Sequence, residues 1–208
     1  MKIKAFSSGL LDSNEYLVWN ESSGIGAVID CGNYVDEIHA FARENGITVT
    51  QIILTHGHYD HADFTSDHLE AFPQATLVGH QNELALLSEP MANLSAYFGE
   101  GEAYPEPHVL LKSDDAVIIS GDNVENDIVF RVIDAPGHTE GSFLLYCEKE
   151  RIMFTGDVIF KTGRGRTDLP YGDEAVMQQT LARIRDMDKD IAFYSGHGAP
   201  ALLGSWRA

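Results

Sequence analysis

Thr48-Val49-Thr50-Gln51-Ile52-Ile53-Leu54-Thr55-His56-Gly57-His58-Tyr59-Asp60-His61 decides how the rest of the chain is read. Its first half, Thr48 to Leu54, is β-branched and apolar and reads as a buried strand. Its second half puts three histidines and a carboxylate within six residues. Phe64 to Phe72 then reads as a short helix stopped by Pro73. The cluster therefore sits where a strand stops, and the crevice at the carboxyl end of a strand is where open α/β sheets bind ligands. Imidazole and carboxylate together suit a first-row metal, zinc first, with iron or manganese as alternatives. A polar loop with scattered histidines would look similar in isolation, but later parts of the chain supply partners.

At 208 residues, 44% of them hydrophobic, the chain can bury one sizeable core, and a single domain over 1–208 is expected. No run approaches the ~20 apolar residues of a membrane span, and Met1 to Phe6 lacks the long apolar core of a signal peptide. A cytoplasmic protein with no membrane partner is the expectation. The formal net charge of −18 repels phosphate backbones and argues against nucleic acid. Cys31 and Cys147 are far apart in strand-like surroundings and read as reduced core residues.

Taken in order, Lys2 to Phe6 and Asn14 to Trp19 read as strands joined by a Ser/Gly/Asp turn. Ile25 to Asp30 is a strand running into Cys31-Gly32, and Tyr34 to Asn45 has helical spacing that Gly46 stops. Ala75 to Val78 is a small strand and Gln81 to Leu87 a helical stretch, after which an irregular segment from Asn93 to Pro107 is expected to pass over the surface near the site. In the second half Val109 to Leu111, Ala116 to Ser120, Ile128 to Ile133, Ser142 to Cys147, Ile152 to Thr155 and Ile191 to Tyr194 read as strands, and Asp173 to Met187 as a helix. Mixed strands and helices in both halves suggest two sheets covered by helices.

Three more potential ligands follow turns at strand ends: His138 in Pro136-Gly137-His138-Thr139, Asp157 in Thr155-Gly156-Asp157, and His197 in Gly196-His197-Gly198. Alone, each is weak, because a histidine in a turn is more often solvated and an aspartate after a strand is often a cap. As an ordered set with His56, His58, Asp60 and His61 they all lie at strand-to-loop junctions flanked by glycine, which lets backbone approach a buried centre. The remaining histidines, His39, His68, His80 and His108, do not fit the set and read as structural.

These motifs, in this order and over essentially the whole chain, resemble the metallo-β-lactamase superfamily, and within it the glyoxalase II-like branch. The resemblance implies an α/β fold, a four-layer αβ/βα sandwich of two mixed β-sheets flanked by helices. It implies two divalent ions, with His56, His58 and His138 on one, Asp60, His61 and His197 on the other, and Asp157 bridging. Two cations ~3.5–4 Å apart repel strongly, and a shared carboxylate with a bridging hydroxide offsets that repulsion. The hydroxide would be the nucleophile, and Asp60 can orient it. The implied activity is hydrolysis of a small-molecule thioester or ester; a single-iron persulfide dioxygenase or a lactonase are the alternatives.

Substrate residues are less specific. Lys161, Arg164 and Arg166, in the segment after Asp157, could hold an anionic substrate end, but Arg166 could equally pair with Asp168 and fix the loop. Tyr59 could line the pocket or merely pack. The chain also departs from its family: Asp63 and Phe64 replace glycines after the first motif, Glu140 replaces a common proline, and Leu203 to Arg207 matches the segment after the last metal histidine only loosely. In full-length glyoxalase II a C-terminal helical extension binds glutathione. The expectation is therefore broad thioesterase activity with a high KM for glutathione thioesters.

Overall fold

Alternation along the strands sorts apolar residues into separate layers. The structure, a computed structural model, describes residues 1–8 and 13–207, so most of the turn expected between the first two strands lies outside the described residues. The first sheet holds β1 (Lys2–Ser8), β2 (Ser13–Trp19), β3 (Ile25–Ile29), β4 (Thr48–Ile53), β5 (Thr76–His80) and β6 (Val109–Leu111), hydrogen-bonded in that order. β1, β2 and β3 pair antiparallel, and β3 to β6 run parallel. The second holds β7 (Ala116–Ile119), β8 (Ile128–Asp134), β9 (Phe143–Cys147), β10 (Ile152–Gly156), β11 (Ala192–Ser195) and β12 (Ala201–Leu202), again in order. Only β10 and β11 pair parallel there.

Successive strand residues point to opposite faces. Tyr16, Val18, Ile29, Ile53 and Val78 from the first sheet meet Val117, Phe130, Leu145 and Phe154 from the second in a buried inter-sheet core. Their neighbours Leu17, Val28, Ile52 and Leu77 face the other way, onto Ile38 and Ala42 of α1 (Val35–Glu44) and the flank of α3 (Thr65–Ala71). In the second sheet Leu144, Met153 and Phe193 turn outward onto Met177, Leu181 and Ile184 of α6 (Glu174–Arg185). The layers are helix, sheet, sheet, helix, as the resemblance implied. Asp173 caps α6 by accepting from the Val176 N–H at 2.9 Å. Cys31 and Cys147 lie in different clusters, both buried and free.

Short elements depart from the sequence reading. The histidine-rich stretch is not all loop: Tyr59–Ala62 forms one helical turn, α2. The helical stretch expected over Gln81 to Leu87 is present as a 3₁₀ turn at Gln81–Glu83 running into α4 (Leu84–Ser88), whereas the segment expected to be irregular contains α5 (Ser95–Phe98). No helix among the described residues is long and apolar enough to cross a membrane.

Candidate metal centre

Strand ends from both sheets converge on one cluster. His56 and His58 follow β4, and α2 carries Asp60 and His61. His138 follows β8, Asp157 follows β10, and His197 follows β11. His56, His58 and His138 offer imidazole nitrogens within 4.8 Å of one another, and His61 and His197 offer imidazole nitrogens within the same distance of a carboxylate oxygen of Asp60; His56, His61 and Asp157 form a third such group joining the other two. The helical turn matters here, because it swings Asp60 and His61 to the second set while His56, in the bend after β4, and the extended His58 serve the first.

The donor set fits metal ions. His58 Nδ1 and His138 Nε2 face each other at 2.9 Å, and His56 Nε2 and Asp157 Oδ1 are buried with no hydrogen-bond partner among the described residues. Buried polar atoms are normally partnered, so converging orphans point to a ligand. Around His197, the Nε2 atom lies 3.2 Å from Asp60 Oδ2 and 3.3 Å from Asp157 Oδ2. His61 Nε2 lies 3.4 Å from Asp157 Oδ1 and 3.5 Å from Asp60 Oδ2. Asp157 thus stands between the sets, also 3.8 Å from His138 Nε2.

The two sets differ electrically. Burial, reinforced by neighbouring imidazoles, holds His56 well below its ordinary pKa and His58 at about 3. Burial also lowers His138, against the pull of Asp157. At His61 burial acts the same way, but Asp60, Asp157 and Asp30 outweigh it and raise the imidazole well above its usual range. His197 is pushed up to about 10, burial being overcome by its hydrogen bonds to Asp157 and Asp60. Asp60 and Asp157 are correspondingly low: burial opposes their ionisation, and His61 and His197 overcome it.

Several partners that hold the ligands escaped the sequence reading. Asp30, buried at the end of β3 with φ 63°, accepts from the Thr55 N–H at 2.8 Å and its Oγ1 at 2.9 Å, and faces His61 Nδ1 at 3.0 Å. His138 Nδ1 faces the Arg166 carbonyl at 2.8 Å, which orients its Nε2 toward the cluster. Glu83 is only 2% exposed, and it accepts from the Gly57 N–H, the Gly141 N–H and Thr139 Oγ1, each at 2.7 Å. It therefore clips the His56/His58 turn to the His138 turn. Asn14 Nδ2 donates to the Ser195 and Gly198 carbonyls on either side of His197. A Cβ on Gly196 would collide with Asp157 Oδ1 and His61 Cε1, so only glycine fits there. The parallel neighbours β3 and β4 both end at the cluster, and that adjacency was the available signal for Asp30.

A cavity of about 380 Å³ opens onto the cluster, lined by His58, Asp60, His138, Asp157 and His197, and by Leu94, Phe98, Phe160 and Leu169. Arg164 and Arg166 also line it, but both are paired: Arg164 donates to Glu174 at 2.8 and 3.0 Å, and Arg166 to Asp168 at 2.7 and 2.8 Å. Lys161 is exposed and is not among the described residues lining the cavity. Tyr59 is also absent from that lining; its ring stacks on Phe98 with centroids 5.0 Å apart. His68 pairs with Glu15 at 2.9 Å, His80 with Asp134 at 3.2 Å, and His108 Nδ1 accepts from the Leu77 N–H at 2.9 Å, while exposed His39 packs edge-on against Phe72.

The family profile of the metallo-β-lactamase superfamily matches residues 8–197. The hydroxyacylglutathione hydrolase GloC of Haemophilus influenzae is 26% identical over 207 residues, covering 98% of this chain and 94% of that one. The crystal structure of BLEG-1 B3 metallo-β-lactamase superposes with a TM-score of 0.86 at 26% identity, over 98% of this chain and 95% of that one. TTHA1623 in a di-iron-bound form gives a TM-score of 0.83 at 25% identity, over 97% and 96% of the two chains.

Proposed function

The chain belongs to the metallo-β-lactamase superfamily, and from that membership we propose that it is a dinuclear metallohydrolase cleaving small thioesters, in the manner of glyoxalase II. The observation that carries the reading is the pair of three-ligand sets sharing one cavity, with Asp157 between them. The similarity to a hydroxyacylglutathione hydrolase supports the thioester class.

Zinc, iron or manganese ions held by His56, His58 and His138 and by Asp60, His61 and His197 would supply a water acidic enough to attack at neutral pH and a Lewis acid for the acyl oxygen. The chain's own groups do the rest. Asp60 lines the cavity and is held ionised, so it can orient the attacking water by accepting its hydrogen bond. Asp157 offsets positive charge on both sides of the centre. Leu94, Phe98, Phe160 and Leu169 give the cavity apolar walls beside the ligands. In balance, the thioester and one water give a carboxylic acid and a thiol: the C–S bond breaks, a C–O bond forms, and the proton from water ends on the sulfur.

Metal analysis and a substrate panel on one preparation test the proposal. Two ions per chain, with turnover of lactoylglutathione or a short neutral thioester, is the expected outcome. One iron per chain with oxygen uptake on glutathione persulfide would sink it. Activity confined to a lactone or to a β-lactam would move the reaction to another ester or amide class.

A further inference from the structure

Resting on the thioesterase reading, we propose that this centre selects substrates by an uncharged, apolar acyl arm seated on Leu94, Phe98 and Leu169, and not by an anionic thiol carrier. Leu94, Phe98 and Leu169 give the cavity apolar lining, and the 43% exposed Phe98 leaves a ring open beside a reactive centre. Phe160 completes the wall, its ring edge-on to His197 with centroids 5.7 Å apart. An acyl chain laid there removes apolar surface from water on both partners.

The segment bearing Leu94 and Phe98 is built into the metal loop. The Asn93 carbonyl accepts from the Tyr59 N–H at 2.8 Å, between His58 and Asp60. The fully buried Asn93 side chain donates to the Leu87 and Glu102 carbonyls and accepts from the Ser95 N–H at 2.9 Å. These bonds hold Leu94 at φ 74°, a left-handed conformation that a branched side chain rarely adopts. Strain of this kind persists where the surroundings over-determine it, and it gathers at ligand-binding sites. Here it sets Leu94 in the cavity wall, and the stacked Tyr59 ring fixes Phe98 beside it.

Charge points the same way. The two arginines lining the cavity already face carboxylates: Arg166 donates to Asp168 through Nε and Nη2, and Arg164 donates through Nη2 to both oxygens of Glu174 and through Nη1 to the Gly165 carbonyl. Glu174 is further held by Thr167 Oγ1 at 2.6 Å and Gln178 Nε2 at 2.9 Å. An anionic carrier therefore meets arginines whose charge is already offset by a neighbouring carboxylate, on a chain whose net charge is −18.

The test uses the metal-loaded enzyme with N-acetylcysteamine thioesters from acetyl to hexanoyl and the glutathione thioesters of the same acyl groups. We expect kcat/KM to rise about two- to fourfold per added methylene, as burial of a CH₂ implies. The glutathione series should do no better at equal chain length. Leu94→Gly removes the side chain while suiting the backbone at φ 74°, and Phe98→Ala removes the ring. Each should lower hexanoyl turnover by about tenfold and acetyl turnover several-fold less. A flat chain-length profile, or a tenfold preference for glutathione thioesters that Arg164→Ala or Arg166→Ala abolishes, would overturn the proposal. Calorimetry with inert ketone analogues, CH₂ replacing sulfur, separates this inference from the reaction class. Chain-length-dependent binding without cleavage of any thioester would retain the apolar seat and reject the thioesterase. Cleavage with a flat profile would do the reverse, and neither binding nor cleavage would reject both.

Discussion

At the scale of single residues, one buried carboxylate, Glu83, ties the His56/His58 turn to the His138 turn through three hydrogen bonds. His56, His58, Asp60 and His61 declare themselves by spacing, but Glu83 lies far along the chain from the Thr139 and Gly141 donors it serves. Only folding reveals such a partner. Glu83→Ala leaves two buried N–H groups without an acceptor, at about 1–3 kcal/mol each. We expect a loss of about 3 kcal/mol in urea unfolding of chelated protein, with weaker metal binding by the His56, His58 and His138 set. Burial lifts the Glu83 carboxyl to about 7 against its three hydrogen bonds. Because the folded value exceeds the unfolded one, this contribution is full below pH ~4.5 and is lost as pH rises through about 7, at no more than ~1.4 kcal/mol per pH unit. The stability difference between wild type and Glu83→Gln should therefore shrink from pH 5 to pH 7.5; a constant difference would show that the carboxyl is already ionised at pH 5.

At the scale of elements, periodicity carried the long pieces and failed on the short ones. α1, α6 and eleven of the strands leave an apolar pattern in the sequence, because each buries a face. A single turn such as α2 or α5, and the two-residue β12, is too short for any period to register. Yet α2 divides the histidine-rich stretch between two ligand sets, so the allocation of Asp60 and His61 depended on a turn that local pattern could not show. The close approach of the β11–His197 turn to the cluster was signalled by Gly196, though not its reason. With a Cβ blocked by Asp157 and His61, Gly196→Ala should displace one or both. Metal content should fall from two ions toward one and kcat/KM by at least about tenfold, consistent with a lost transition-state contact of more than ~1.4 kcal/mol. Elemental analysis alongside circular dichroism checks it, since full metal content in a folded variant would show that the turn can yield.

At the scale of the whole molecule, the candidate centre joins two sheets: four of its residues follow strands of the first and three follow strands of the second. Metal that binds only the folded arrangement stabilises it, and the linkage depends on pH because imidazole must be neutral to bind. In the chelated protein His197 sits at about 10 and His61 well above its ordinary value, so both bind protons more tightly than in the unfolded chain. That stabilisation is complete below about pH 6.5 and declines as pH rises toward about 10. Metal binding requires expulsion of the same protons, so it strengthens over the same range. The gap in Tm between loaded and chelated protein should therefore widen from pH 6.5 to pH 9, which scanning calorimetry reads directly. His58 at about 3 and His56 well below its usual range carry no such protons at these pH values. Of the two ions, one should load with almost no proton release and the other with one to two protons, as titration calorimetry in buffers of different ionisation enthalpy can count. Equal release for both ions would mean that Asp60 and Asp157 do not hold protons on His61 and His197 before the metal arrives.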